Sequence, residues 1–272
     1  IEFVSRCFLG EGKKAIYSQH GFAIYPLAIK ATGAIPVKSK AKNWGHDLEL
    51  MSDLIDDETK VVFIASPNNP TGTAKTLKEI KNFLNNLKDD ILVFLDQAYY
   101  EYIEGSEFDI PFSLIDDHPN LVISRSFSKA HGLAALRLGF CVSNPELSDY
   151  LNRVRQPFNA NSLALDLGKV ALSDQEHISK SVKINSSGMD RVKKAFNNLD
   201  YDFIESWGNF ISFDAKQDSD DAFQYFLENG VILRSLKVYE MPQHLRVSIG
   251  TEEEMDFFLQ VLEDYEKDLS KK

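Results

Sequence analysis

Three short, continuously apolar segments constrain the fold of this 272-residue chain most strongly. They lie at residues 61–65, 91–95 and 121–123, and helical patterns at 21–31, 47–54 and 76–87 alternate with them and with weaker strand patterns at 14–17 and 34–37. Strands without polar alternation are typical of a parallel sheet that helices cover on both faces. The sequence therefore predicts an α/β fold built on a mostly parallel sheet.

Polar side chains follow each of these three apolar segments at the point where the predicted strand ends. Asn69 comes shortly after the first, Asp96 directly after the second, and Lys129 shortly after the third. Because open parallel sheets bind ligands beyond the carboxyl ends of their strands, we expect these three side chains to converge on one crevice.

The segment at 124–139 carries a lysine in a setting that suggests cofactor chemistry. Lys129 lies among two hydroxyls, Ser126 and Ser128, and Arg137 follows eight residues later in a second predicted strand at 136–142. An amine can form a Schiff base with an aldehyde cofactor, while hydroxyls and a guanidinium hold its phosphate. The alternative is an ordinary solvated lysine, which is the commonest state of this residue type.

Beyond Pro145 the pattern changes. Helical patterns at 145–198, including 162–172 and 178–196, lead to short strand patterns at 202–204, 210–213, 231–233 and 245–249, with further helices at 220–227 and 252–269. This order predicts a smaller C-terminal α+β domain. We place the boundary near Ser173 and Asp174, which gives a large domain at 1–173 and a small domain at 174–272.

Composition excludes several function classes. The net charge of −11 argues against a nucleic-acid partner, which requires basic patches. No run of about 18 apolar residues is present, so no membrane association is expected. Two cysteines do not form a disulfide framework, which favours the cytoplasm. The six histidines lack metal-ligand spacing, and we assign no metal site.

Four motifs stand in one order along the chain: SPNNPTG at 66–72, DQAY at 96–99, SRSFSK at 124–129 followed by Arg137, and LRVSIGT at 245–251. Together they resemble the fold-type I pyridoxal-phosphate-dependent aminotransferases, and the closest likeness is to histidinol-phosphate aminotransferases. The resemblance covers essentially the whole chain. It implies a large domain of the fold-type I kind and pyridoxal 5'-phosphate as the cofactor.

The resemblance implies roles for the residues of the second and third motifs. Lys129 is the Schiff-base lysine, which also carries a proton between the substrate and the cofactor. Asp96 pairs with the pyridine nitrogen and keeps it protonated. Tyr99 and Asn69 bond the cofactor's phenolic oxygen. In isolation, Asn69 is equally typical of a turn, because Asn-Pro marks turns.

The resemblance also implies a set of residues that surround the cofactor. Ser126, Ser128 and Arg137 hold the phosphate, with Arg137 ranked first. Phe22 corresponds to the aromatic residue that stacks on the ring, although an aromatic on an apolar helix face is equally consistent with core packing. We interpret Tyr25, on the same helix, as a core residue.

Two arginines are implied in substrate binding. Arg246 clamps the substrate carboxylate, and its position inside an apolar strand supports a ligand because a charge there is costly unless it is paired. Arg234 is the matching candidate for a substrate phosphate. Its alternative is a solvated arginine at a strand end.

The family's reaction is transamination, with glutamate as donor and imidazole-acetol phosphate as acceptor, in histidine biosynthesis. Family members are homodimers whose active sites share residues between subunits. They carry a glycine-rich phosphate-gripping loop and an N-terminal arm before the helix predicted at residues 1–9. The resemblance therefore implies an N-terminally truncated enzyme with weak or no activity on its own.

Three alternatives share parts of this pattern. An aromatic amino-acid aminotransferase has the same four motifs but does not require Arg234 to meet a phosphate. A pyridoxal-phosphate-dependent decarboxylase of phosphorylated substrates uses the same lysine and releases carbon dioxide. The effector-binding domain of an aminotransferase-like transcription regulator is not an enzyme and follows a basic DNA-binding domain.

Overall fold

The computed structural model describes residues 1–270, so Lys271 and Lys272 of the predicted small domain lie outside the described residues. The first part of the chain forms helices α1 to α6 and strands β1 to β6. In chain order these are α1 Glu2–Phe8, β1 Lys14–Ser18, α2 Ile24–Ala31, β2 Ile35–Ser39, α3 Leu48–Asp53, β3 Thr59–Ala65, α4 Leu77–Asn85, β4 Leu92–Asp96, α5 Leu114–Asp117, β5 Leu121–Ser126, β6 Gly139–Val142 and α6 Pro145–Val154.

Strands β1 to β6 form one sheet in the order β2-β1-β3-β4-β5-β6. All neighbouring pairs are parallel except β5 with the edge strand β6. The order reverses direction between β1 and β3, and such a switch point opens a crevice at the carboxyl ends of the strands. The predicted, mostly parallel α/β sheet is confirmed.

Helices cover both faces of this sheet. On one face, α1, α2 and α6 pack through Val4, Tyr25, Ile29 and Leu151 onto the strands. On the other face, α3, α4 and α5 pack through side chains that include Met51, Ile80, Phe83 and Leu114. This two-sided covering explains why the strand interiors lack polar alternation.

The second part of the chain builds a separate antiparallel sheet. Its elements are α7 Ser162–Ser173, α8 Gln175–Asn198, β7 Phe203–Ile204, β8 Phe210–Asp214, α9 Ser219–Glu228, β9 Arg234–Ser235, β10 His244–Ser248 and α10 Glu252–Leu269. The strand order is β7-β8-β10-β9, and helices α8, α9 and α10 supply its core. The predicted α+β character of this region is confirmed.

Two predicted strand positions are wrong. The strand predicted at 231–233 lies instead at Arg234–Ser235. Val231 and Leu233 are buried, but Ile232 between them is 80% exposed and this stretch pairs with no neighbouring strand. The strand predicted at 136–142 begins only at Gly139, because a short 3₁₀ helix occupies Ala134–Leu136.

The loop at 66–72 joins the two sheets. The Trp207 N–H donates to the Gly72 carbonyl at 2.9 Å, and the Ser212 hydroxyl donates to the Pro70 carbonyl at 2.7 Å. Gly72 has φ of +78°, and a Cβ there would stand 2.1 Å from the Ser206 hydroxyl oxygen. Glycine is therefore required at this close approach. The division at Ser173 and Asp174 stays a prediction.

Within residues 1–270, no helix has the length and apolar character needed to cross a membrane.

Candidate active site

A cavity of about 550 Å³ lies at the carboxyl ends of β3, β4 and β5. This volume is within the usual range for small-molecule sites, about 300–1,000 Å³. Eight of the ten predicted site residues line it: Phe22, Asn69, Asp96, Tyr99, Ser126, Ser128, Lys129 and Arg137. The expected convergence at the strand ends is therefore observed.

Lys129 presents its amine inside this cavity. Its Nζ lies 5.0 Å from the centre of the Tyr99 ring, and the Lys129 amine makes no hydrogen bond or ion pair with any described residue. Burial lowers the pKa of Lys129, and the positive charges of Arg246 and Arg137 lower it further, while Asp96 opposes them. A lysine with a depressed pKa is suited to nucleophilic and base chemistry.

Asp96 ends β4 and is held by several donors. The Tyr25 hydroxyl donates to its Oδ2 at 3.0 Å, and the Ala98 N–H donates to its Oδ1 at 3.0 Å. Burial raises the pKa of Asp96, whereas these hydrogen bonds and one from the Ser124 hydroxyl oppose that rise. The network therefore favours the carboxylate form in a buried setting.

Tyr25 has a role that the sequence interpretation missed. It is fully buried and stacks on Phe63 with ring centres 5.0 Å apart, as a core residue would, but its hydroxyl also holds Asp96. The sequence signal that could have indicated this role was the Tyr25 hydroxyl, because a buried tyrosine requires a hydrogen-bond partner.

Two aromatic side chains shape the cavity wall. Tyr99 is 6% exposed and meets the Phe210 ring edge-on at 5.1 Å. Burial raises the pKa of Tyr99 to about 12, so its hydroxyl remains a proton donor at neutral pH. Phe22 lines the cavity and also packs on the core cluster of α1 and α2, so both predicted interpretations of Phe22 describe part of its surroundings.

The predicted phosphate-binding group lies at the end of β5. The Ser128 N–H donates to the Ser126 hydroxyl oxygen at 3.0 Å, which fixes this turn. Arg137 has a left-handed backbone with φ of 54°, and its Nη1 donates to the Ala134 carbonyl at 2.8 Å. A left-handed arginine is uncommon, and such conformations concentrate at functional sites.

Arg246 reaches the same cavity region from the other sheet. Its Nη1 donates to the Asn69 side-chain oxygen, and its guanidinium lies over the Phe210 ring at 4.9 Å. Burial lowers the pKa of Arg246, and its Nε is buried with no hydrogen-bond partner among the described residues. A buried donor without a partner costs free energy, which favours an anionic ligand here.

Arg234 differs from the other predicted residues, since among the described residues it neither lines the cavity nor forms a hydrogen bond with a residue that does. It pairs directly with Arg246 across β9 and β10, so the two side chains share a face of the sheet. Arg234 is exposed, however, and does not line the cavity.

The residues present fit a phosphorylated aromatic aldehyde. The cavity offers the Lys129 amine with its depressed pKa, the Asp96 carboxylate, and the hydroxyls and guanidinium at the end of β5. In the part of the chain that the structure describes, no group of His, Cys, Asp and Glu could hold a metal ion.

Comparison with known proteins agrees with this geometry. The family model of aminotransferase class I and II matches residues 1–262. Histidinol-phosphate aminotransferase 2 of Pseudomonas aeruginosa is 47% identical over 262 residues, covering 96% of this chain and 71% of the relative. Histidinol-phosphate aminotransferase 1 of Nitrosococcus oceani is 45% identical over 263 residues, covering 97% and 71%.

Solved structures share the fold. A histidinol-phosphate aminotransferase of Sinorhizobium meliloti, solved with pyridoxal-5'-phosphate, has a TM-score of 0.90 at 23% identity and covers 98% of this chain and 74% of its own. An L-threonine-O-3-phosphate decarboxylase of Porphyromonas gingivalis has a TM-score of 0.83 at 22% identity, covering 97% and 79%. The predicted family is confirmed, and the chain belongs to the class I and II aminotransferases.

Proposed function

We propose that this protein is a pyridoxal-phosphate-dependent histidinol-phosphate aminotransferase, which exchanges an amino group between glutamate and imidazole-acetol phosphate. The observation that carries the proposal is the convergence of eight predicted site residues on one cavity. Relatives that are 42–47% identical over most of the chain carry this name, which favours it over the aromatic aminotransferase and the decarboxylase.

Bound pyridoxal phosphate supplies an electron-withdrawing ring that stabilises negative charge on the substrate carbon. The residues that would hold the cofactor are those at the strand ends and in the wall. Asp96 would pair with the pyridine nitrogen, Tyr99 and Asn69 would bond the phenolic oxygen, and Phe22 would stack on the ring. The phosphate is assigned to three residues: Ser126, Ser128 and Arg137.

Lys129 is the proposed proton carrier at the substrate carbon. Its depressed pKa increases the fraction of neutral amine near pH 7, which is the form that can accept a proton. The same neutral amine is the nucleophile that anchors an aldehyde.

Arg246 is proposed to bind the glutamate α-carboxylate in a two-bond fork. Its unpartnered Nε and its contact with Asn69 support this role, because Asn69 belongs to the cofactor-facing loop. We retain Arg234 as the candidate for the substrate phosphate because of its position beside Arg246. Its exposure means that it would have to swing toward the cavity to do so.

We also propose a homodimer in the cytoplasm. Helix α7 exposes five large apolar side chains that a second subunit would cover: Leu163, Leu165, Leu167, Val170 and Leu172. The two cysteines, Cys7 and Cys141, are free thiols, which supports a reducing compartment.

The test is a visible absorbance spectrum of the natural full-length polypeptide with pyridoxal phosphate, followed by titration with histidinol phosphate and, separately, with phenylalanine. We expect a band from the bound cofactor that histidinol phosphate bleaches and phenylalanine does not. Lys129→Ala is expected to lose this band and at least about 1,000-fold in turnover, in the range of general acid–base and nucleophilic contributions.

Two results would contradict the proposal. Bleaching by aromatic amino acids alone would move the assignment to an aromatic aminotransferase. A wild-type protein with no cofactor band would remove the enzymatic role of Lys129.

A further inference from the structure

A buried acid–base pair lies behind the candidate site, outside the cavity. Glu101 stands two residues after Tyr99 in a 3₁₀ helix at Tyr100–Tyr102, and His131 stands two residues after Lys129. Their side chains are 12% and 8% exposed, and the His131 Nε2 lies 3.8 Å from the Glu101 Oε1. The pair therefore connects the two segments that carry the proposed catalytic side chains.

One side-chain atom of each residue has no hydrogen-bond partner. The Glu101 Oε2 and the His131 Nδ1 are each buried with no hydrogen-bond partner among the described residues. Burial raises the pKa of Glu101 and lowers the pKa of His131, so each group is driven toward its neutral form. At 3.8 Å the two side chains are close enough to form an ion pair when His131 is protonated.

Residues of helices α7 and α8 lie close to His131. His131 packs on the Phe127 ring at 4.9 Å, and the Ala171 carbonyl of α7 and His177 of α8 face its imidazole. The charged group that faces Glu101 is Arg125, which opposes the rise in its pKa.

Apolar contacts adjoin the pair on the side of the Lys129 loop. Tyr99, Tyr102 and Ala130 form a small buried cluster with Phe210, and side chains of α8 pack against it. Apolar contacts are not directional, whereas a charge–imidazole contact depends on distance and orientation. The pair is thus one directional side-chain contact between these two segments, in addition to the Gln97 N–H bond to the Ser124 carbonyl and the Arg125 Nε bond to the Gln97 side-chain oxygen.

We propose that Glu101 and His131 are positioning residues of the transamination, which hold the Lys129 loop in register with the Asp96–Tyr99 segment. This inference rests on the proposed function for its kinetic consequence but not for its structural one. Neither side chain lines the cavity, so both act through Lys129 and Tyr99.

The first test is independent of activity. The six histidines are followed by NMR as a function of pH in cofactor-free wild type and in Glu101→Gln. Removing a carboxylate beside an imidazole disfavours the imidazolium, so the His131 titration is expected to move to lower pH by about 1 unit. The matched control is Glu104→Gln, at an exposed glutamate three residues further along, which is expected to leave the His131 titration unchanged.

The second test is kinetic. Glu101→Gln and His131→Phe are each expected to lower kcat about 10-fold with little change in KM, and the double variant is expected to be no worse than the poorer single one. His131→Phe keeps a ring against Phe127, and His118→Gln, at the end of α5, is the control that is expected to match wild type.

The outcomes separate the two proposals. An unmoved His131 titration in a folded Glu101→Gln protein, or single effects that simply add, would overturn the positioning role even if the wild type is fully active. A wild type without turnover would overturn the proposed function, and the NMR result would still decide whether the pair is coupled.

Discussion

The two sheets contribute to the candidate site in different ways. The parallel sheet supplies side chains at and just beyond its strand ends, and one of them, Asp96, accepts hydrogen bonds from the Tyr25 hydroxyl of α2 and from the Ala98 N–H directly after β4. The antiparallel sheet supplies Arg246 from inside a strand, and its side-chain hydrogen bond crosses to Asn69 on the other sheet. Several donors therefore hold Asp96, whereas the Arg246 guanidinium donates, among the described residues, to Asn69 on the loop after β3.

This difference predicts that the largest single loss outside Lys129 comes from Arg246→Lys. A lysine keeps the charge but cannot form the two-bond fork. We expect kcat/KM for glutamate to fall roughly 150-fold, or about 3 kcal/mol, the upper range for hydrogen bonds to a charged group. Steady-state kinetics with glutamate as the varied substrate measure it.

The control for this substitution is Arg191→Lys, because Arg191 belongs to the same region but pairs with Asp256 at the surface. It is expected to leave kcat/KM unchanged. If Arg246→Lys lowers kcat/KM for glutamate by less than 5-fold, the proposed two-bond contact between Arg246 and the substrate carboxylate is wrong.

The same contrast explains how much the sequence alone could predict. Continuous apolar runs located β3, β4 and β5 to within two or three residues, and their ends located Asn69, Asp96 and Lys129. The signal for Arg246 was of a different kind, a charge inside an apolar strand, and it too led to a half-buried side chain whose Nε has no hydrogen-bond partner among the described residues.

What could not be predicted depends on contacts between distant residues. The Tyr25 hydroxyl meets Asp96 71 positions away, and no local pattern encodes that approach. The exposure of Arg234 follows from where β9 begins, one residue past the apolar stretch that indicated a strand. The pairing of Glu101 with His131 likewise appears only when the two loops are placed side by side.

The second-largest effect is expected at His46, which is buried against the end of β3 in the parallel sheet. Its Nε2 accepts the Ala65 N–H at 3.1 Å, at the end of β3 and just before the loop that carries Asn69. His46 is 1% exposed, and burial, assisted by Lys75, lowers its pKa to about 4. The folded state therefore binds this proton less readily than the unfolded chain, whose ordinary value is about 6.5.

Because the folded-state pKa is depressed, this contribution to stability is present above about pH 6.5 and is lost as the pH falls toward 4. We expect His46 to account for a loss of about 2 kcal/mol in the free energy of unfolding between pH 7 and pH 5. Urea unfolding of wild type and His46→Gln at both pH values measures it. The variant should lack this part of the slope, His118→Gln should retain it, and equal slopes in all three proteins would contradict the assignment.

The smallest effect is expected for Tyr25→Phe, because the Ala98 N–H and the Ser124 hydroxyl still donate to Asp96. The phenylalanine ring preserves the stack on Phe63, so only one hydrogen bond to a charged group is lost, worth about 1.4 kcal/mol or 10-fold in kcat/KM. Loss of this donor raises the pKa of Asp96 further, so the acidic limb of the pH profile of kcat/KM should move to higher pH. A profile that matches wild type, at unchanged melting temperature, would mean that the Ala98 N–H and Ser124 alone fix the charge of Asp96. A loss as large as that of Arg246→Lys would mean that the remaining donors to Asp96 do not compensate for the missing Tyr25 hydroxyl.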